Sequence, residues 1–148
     1  MVSENRLQAV FDLIDRTNAD DPVSVEVGGV ARPYAVVYGE RMTARLAKLA
    51  PGASEHLAIA ARAQHVRRFD IARSTYPMDK VGYYAWRNAL KVHHAEVVGR
   101  LMAEVGYPQA DIDRVGQLVR KERIKKDAEA QTVEDCASLV FLEHEYAA

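Results

Sequence analysis

The sequence offers one cysteine in 148 residues, Cys136, so an intramolecular disulfide is impossible and no paired-cysteine zinc pattern exists. Cys136 lies in an apolar run and reads as a small buried hydrophobe. No stretch approaches the length of a membrane span. The opening residues Met1 to Arg6 lack the basic and apolar blocks of a secretory signal, so the expectation is a cytoplasmic protein without a membrane partner. Charge of one sign is also missing: 20 basic against 21 acidic residues give a net charge of -1. That balance removes the electrostatic reason to wrap nucleic acid or coat an anionic membrane, and any anion binding must come from a local cluster. There is no glycine-rich phosphate loop and no serine in a nucleophile-elbow setting.

What is present is ordinary globular material, 49% hydrophobic and 28% charged, and long enough to bury a core as one domain over residues 1–148. Leu7, Val10, Phe11 and Ile14 recur at helical spacing and predict a first helix from about Glu4 to Arg16 with Ser3 as its cap. The alternating stretch Val23 to Val27, followed by Gly28-Gly29, is either one short strand or half of a small ribbon. From Pro33 onward the pattern is helical. Expected helices run over Pro33–Leu49, Ser54–Arg68, Asp79–Gly106, Gln109–Ile124 and Ala130–Tyr146. The last is apolar nearly all round and is expected at the centre of the bundle. The predicted fold class is all-α, a bundle of about six helices with at most one short β element near 23–27.

The informative residues are polar ones on faces that the pattern makes apolar. His65 follows Leu57 and Ala61 by eight and four positions, and His94 follows Leu90 by four. Glu122 follows Val115 by seven and Val119 by three, while Asp135 precedes Leu139 and Leu142 by four and seven. Four helices thus each turn one potential ligand inward, which is how bundles build metal sites. His65, His94, Glu122 and Asp135 would suit a divalent metal (Mn, Fe, Ni or Zn), with His65, Glu122 and Asp135 as the catalytic set. The opposing reading is a hydrogen-bonded core histidine and a capping aspartate. A cationic group, Arg67, Arg68, Arg73 and Lys91, brackets the loop after His65. It either complements a helix C-terminus or clamps a phosphate or carboxylate beside the buried site. The run Arg120 to Asp127 is the densest block of charge; with no interleaved aromatics to stack bases, it reads as a solvated helix end. Tyr76, Tyr83, Tyr84 and Trp86 either line a pocket or pack against neighbouring helices.

At these residues the chain resembles known families. Ala60 to His65, then His94-Ala95-Glu96, then Asp135-Cys136-Ala137 resembles the helical order of the HD-domain metal-dependent phosphohydrolases. His65 to Phe69, Arg73 to Pro77, Arg120 to Arg123 and Glu134 to His144 more closely resemble an uncharacterised bacterial family of domains of unknown function, from about Tyr38 to the end. The HD resemblance implies a helical bundle holding one or two divalent metals and hydrolysing phosphate esters. The carry-over is incomplete: Val66 stands where the family has its bridging aspartate, and Glu40 and Arg41 stand where it has its earlier histidine. His94, Glu122 and Asp135 fall at or near other ligand positions of that pattern.

Three functions follow as expectations. The first is a metal-dependent hydrolase or lyase acting on a small anionic substrate, such as a phosphate ester, gripped by the arginines. The second is a non-catalytic module that binds an anion or nucleotide without metal. The third is an interaction protein, a helical homodimer using the apolar last helix.

Overall fold

The chain after the first helix turns back on itself through Gly28 and Gly29, both at positive φ (59° and 83°), a tight turn that side chains rarely adopt. That turn joins β1 (Ser24–Val27) to β2 (Val30–Pro33) as an antiparallel ribbon with Val27 opposite Val30. The alternating stretch is therefore half of a ribbon, and its partner is the unpromising segment Val30–Pro33. In this computed structural model, which describes residues 2–145 with side chains from residue 6, all other regular structure is helical. The α-helices are α1 (Val2–Asn18), α2 (Tyr34–Leu49), α3 (Glu55–Arg62), α4 (Lys80–Glu104), α5 (Gln109–Val119) and α6 (Ala128–His144). The side chain of the expected cap Ser3 lies outside the described residues, as does Tyr146; α1 begins before Ser3. Among the described residues no helix is long and apolar enough to cross a membrane.

Three expectations about the helices need correction. The third helix stops at Arg62 rather than Arg68, and residues 63–67 continue as successive turns closed by Val66 N–H to the Ala63 carbonyl and Arg68 N–H to the His65 carbonyl. Tertiary bonds end it: Arg67 sits at φ 50°, its N–H donates to Asn18 Oδ1 at 2.9 Å, and its guanidinium reaches Thr17, Asp20 and Asp70. The fifth helix stops at Val119, since Lys121 and Arg123 both take positive φ (57° and 54°). The last helix is not central. Its Ala130, Val133, Cys136 and Val140 are buried, but Phe141 and Leu142 are more than half exposed.

The central element is α3, which packs against α1, α2, α5 and α6. It is short, capped by Ser54 Oγ accepting from Leu57 N–H, and carries Ala60 and Ala61 fully buried. Small side chains allow its neighbours to approach closely. On α2, Gly39 faces the Arg62 carbonyl, 3.1 Å from where a Cβ would sit. Val10, Ile14, Met42, Ile59, Val115 and Leu118 fill the core around it, each with almost no exposed surface. The loop before α4 is pinned to that helix's first turn. Asp79 accepts from Gly82 N–H at 2.7 Å, and a Cβ on Gly82 would stand 1.9 Å from the Pro77 carbonyl oxygen, so only glycine fits. Two 3₁₀ turns, Arg68–Asp70 and Arg73–Thr75, complete this loop and bring it against α4.

Candidate functional site

On α4, residues 83, 87, 90, 91 and 94 share one helical face, and on α6 residues 134, 137, 138, 141 and 142 share another, with Glu145 just past its end. These faces, with Tyr34 and Tyr38 of α2 and the turn Gln64 to Arg68, enclose a pocket of about 610 Å³. That size suits a small organic ligand. The turns after α3 keep His65 inward although the helix itself has ended.

Both expected histidines are in this pocket. His65 stacks on Tyr38, with ring centroids 3.9 Å apart and planes 7° from parallel, and its ring lies 6.1 Å from that of His94. His65 Nδ1 is sealed from solvent without a hydrogen-bond partner. His94, only 3% exposed, has its Nδ1 at 2.7 Å from the Val66 carbonyl oxygen. A carbonyl can only accept, so Nδ1 carries the proton, and the neutral ring has its free lone pair on Nε2. Burial, followed by Arg68 and His94, pushes His65 well below the usual histidine range. Burial also lowers His94, to about 4, against the Val66 bond that works to raise it. Both rings are neutral at physiological pH. Gln64, 4% exposed, also lines the pocket and leaves its Oε1 buried without a partner.

The acids expected beside the histidines are elsewhere. Glu122 is exposed and pairs with Arg120 at 2.6 Å; Asp135 is exposed and accepts from Gln131 at 2.9 Å. Each is one residue away from a group that does enter the pocket, namely Lys121 and Glu134, which pair with each other at 2.5 Å. The left-handed backbone at Lys121 breaks the α5 periodicity on which Glu122 was placed, and α6 turns Glu134 rather than Asp135 toward α4. Among the described residues no three His, Cys, Asp or Glu side chains converge to hold a metal ion. The pocket's chemistry runs the same way, because Arg68, Arg87, Lys91 and Lys121 line it beside the histidines. The residues present do not fit a divalent metal.

The expected cationic group divides in two. Arg67 is a structural clasp, bidentate to Asp70 at 2.8 and 2.9 Å. Arg73 holds the loop, donating to the carbonyls of Tyr76, Pro77 and Asp79. Arg68 and Lys91 do line the pocket, and among the described residues neither has an anionic partner. Arg87, which the sequence pattern had not singled out, joins them; among the described residues it donates to the Tyr83 hydroxyl, at 2.8 Å, and pairs with no carboxylate. The spacing of Arg87, Lys91 and His94 on one helical face was a signal that could have found it.

The positive field is visible in the neighbours. Burial lowers the Lys91 pKa from its ordinary value, and Lys121 and Arg87 lower it further. Burial would raise Glu134, but Lys121, backed by Arg87 and Lys91, holds it below the usual carboxylate range. Tyr34 at the rim goes the other way: burial and its 2.9 Å hydrogen bond to Glu145 push it up to about 12 although Arg68 works to lower it.

Fold and site together define an all-α domain built around a cation-lined pocket that contains two neutral histidines. The chain belongs to the family described as Domain of unknown function (DUF4202), whose model matches residues 8–148. That match accounts for the closer of the two resemblances and lends no support to a relationship with HD-domain enzymes. No curated protein and no solved structure matches the chain.

Proposed function

We propose that the domain binds a small organic anion, carrying a phosphate or carboxylate group, in the pocket between α2, α4 and α6. The observation that carries this reading is that Arg68, Arg87 and Lys91 face one cavity with no carboxylate paired to any of them among the described residues. Like charges brought together on a folded surface repel, and a bound anion removes that cost. The two arginines supply planar forks for the oxygens, and Lys91 a point charge. The test is thermal unfolding with sulfate or phosphate against chloride at matched ionic strength. A ligand at 100 times its Kd stabilises by about 2.7 kcal/mol, so the wild type is expected to show a clear rise in Tm. Lys91→Glu should weaken the anion by about 100-fold, the scale of a lost charged contact plus a new repulsion. Arg120→Glu, on the exposed α5–α6 loop, should leave it unchanged. Equal stabilisation of all three proteins would reject the site.

A second reading is hydrolysis of a bound phosphate ester without metal, favoured by the lone pair on His94 Nε2. In that reaction the water oxygen bonds to phosphorus and gives its proton to Nε2, while the P–O bond to the alcohol breaks. The departing alkoxide takes a proton from Lys91, and the two side chains re-equilibrate through solvent. The expected result is slow release of nitrophenol from p-nitrophenyl phosphate, lost in His94→Gln while anion stabilisation persists. No release by wild-type protein, in conditions where the anion binds, would leave a binding module alone.

A further inference from the structure

A second chamber of about 380 Å³ lies against the first and shares Tyr34, His65 and Arg68 with it as a common wall. Its character is different. Trp86, Phe69, Ile71 and Tyr34 give it aromatic and apolar sides, and Arg68 and Arg73 lie over the Trp86 ring at 5.0 and 5.8 Å from its centroid. Indole, phenyl and guanidinium faces together favour a flat π-system over an acyl chain, because an acyl chain would strip water from two cations and return nothing. Among the described residues one carboxylate lines this chamber, that of Asp21. Its two oxygens each accept one backbone N–H, from Val23 and Ala35, both at 2.9 Å. Each oxygen keeps a further lone pair able to accept from an amino group.

Resting on the anion-binding reading of the first pocket, we propose that the ligand is a nucleoside monophosphate with an amino-bearing base. Its phosphate lies among Arg68, Arg87 and Lys91, and its base lies in the second chamber against Trp86 with the exocyclic amine toward Asp21. Arg68 stands where the two halves join. Its guanidinium touches the wall of both chambers and is tied to no carboxylate among the described residues, so it is free to meet phosphate oxygens on one side while its face remains over the indole. Neither chamber alone explains the other. A free phosphate leaves the aromatic side unused, and an uncharged aromatic compound leaves Arg68, Arg87 and Lys91 with no oxyanion between them.

The experiment compares inorganic phosphate, ribose 5-phosphate, AMP and IMP on the full chain, by thermal shift and by emission of Trp86, the sole tryptophan. AMP is expected to bind at least 10-fold more tightly than ribose 5-phosphate and to quench Trp86. IMP, which has a carbonyl where AMP has its amine, should bind several-fold more weakly than AMP. Ala72→Leu, at the wall of the second chamber, should reduce AMP to the affinity of ribose 5-phosphate while leaving inorganic phosphate unchanged. If AMP binds no better than ribose 5-phosphate, or if Ala72→Leu leaves the AMP advantage intact, the base is not in this chamber and the inference fails, while the anion pocket stands. If no phosphate compound shifts the wild type at all, the anion-binding reading fails with it.

Discussion

Replacing Arg62 by alanine is expected to cost the fold about 3 kcal/mol, the largest loss from any single charged side chain in this domain. The expectation comes from where the guanidinium lies rather than from its charge alone. Its side chain is 11% exposed, and it binds Asp15 on α1 through two bonds of 2.6 and 3.0 Å while a third donor reaches Thr43 on α2 at 3.1 Å. Its face also lies 5.0 Å from the Phe11 ring centroid. One residue at the end of the central helix therefore fastens three helices. Alanine leaves the half-buried Asp15 without its cation, and breaking such a pair costs about 3–5 kcal/mol when the site is dry. Asp15 is 29% exposed, which places the expected value at the low end. Arg62→Lys should recover less than half, because an ammonium cannot span the Asp15 fork and Thr43 together. Urea unfolding of the three proteins measures this directly. A loss below about 1 kcal/mol would put the pair in the class of surface ion pairs and remove the claim.

Arg62 also illustrates what was legible in the sequence and what was not. The core positions on α1, α2, α4 and α5 follow from spacing of 3 and 4, because each of those helices has one apolar side and one wet side. His65 and His94 were found the same way, as polar residues on apolar faces, and both do enter the pocket. The failures all sit where tertiary bonds override the local pattern. The expected third helix runs to Arg68 on propensity, yet Arg67 is captured by Asn18, Thr17 and Asp20 across almost fifty residues of chain, and no local rule contains that contact. Glu122 was placed by extending α5 through a segment whose backbone has turned left-handed at Lys121. Asp135 was preferred over Glu134 because Leu139 and Leu142 were counted as core, whereas Leu142 is more than half exposed. A rotation of one residue, about 100° of helix, exchanges an acid for a lysine at one position and moves the carboxylate at the other. That difference replaces the expected metal-ligand set by a pocket lined with Arg68, Arg87, Lys91 and Lys121, so the chemistry depended on the least predictable part of the geometry.

Acid should destabilise this protein earlier than its carboxylates require, and the two pocket histidines are the reason. A histidine whose folded pKa is lowered binds protons more weakly in the native state than in the unfolded chain. Its contribution is therefore complete above the unfolded value near 6.5 and is lost as pH falls toward the folded value. For His94, lowered to about 4 chiefly by burial, the loss between pH 7 and pH 5 amounts to about 2 kcal/mol. His65 is also held well below its ordinary value, chiefly by burial, and it acts in the same direction. The carboxylates held below their ordinary values, such as Asp127 at about 2 beside Arg114, remain ionised throughout and do not blur the reading. His94→Gln keeps an N–H donor toward the Val66 carbonyl and cannot titrate, so it should lose the His94 share of the acid loss, about 2 kcal/mol, while the His65 share remains. A bound anion opposes the local field, since it favours imidazolium where Arg68 and Lys121 disfavour it. Sulfate keeps its double charge across this range, so saturating sulfate should shrink the acid loss in the wild type, and by less in His94→Gln, where His65 alone of the pair still titrates. An acid loss that sulfate does not alter would mean that the histidines and the anion do not share a cavity, and would separate the buried pair from the function proposed for it.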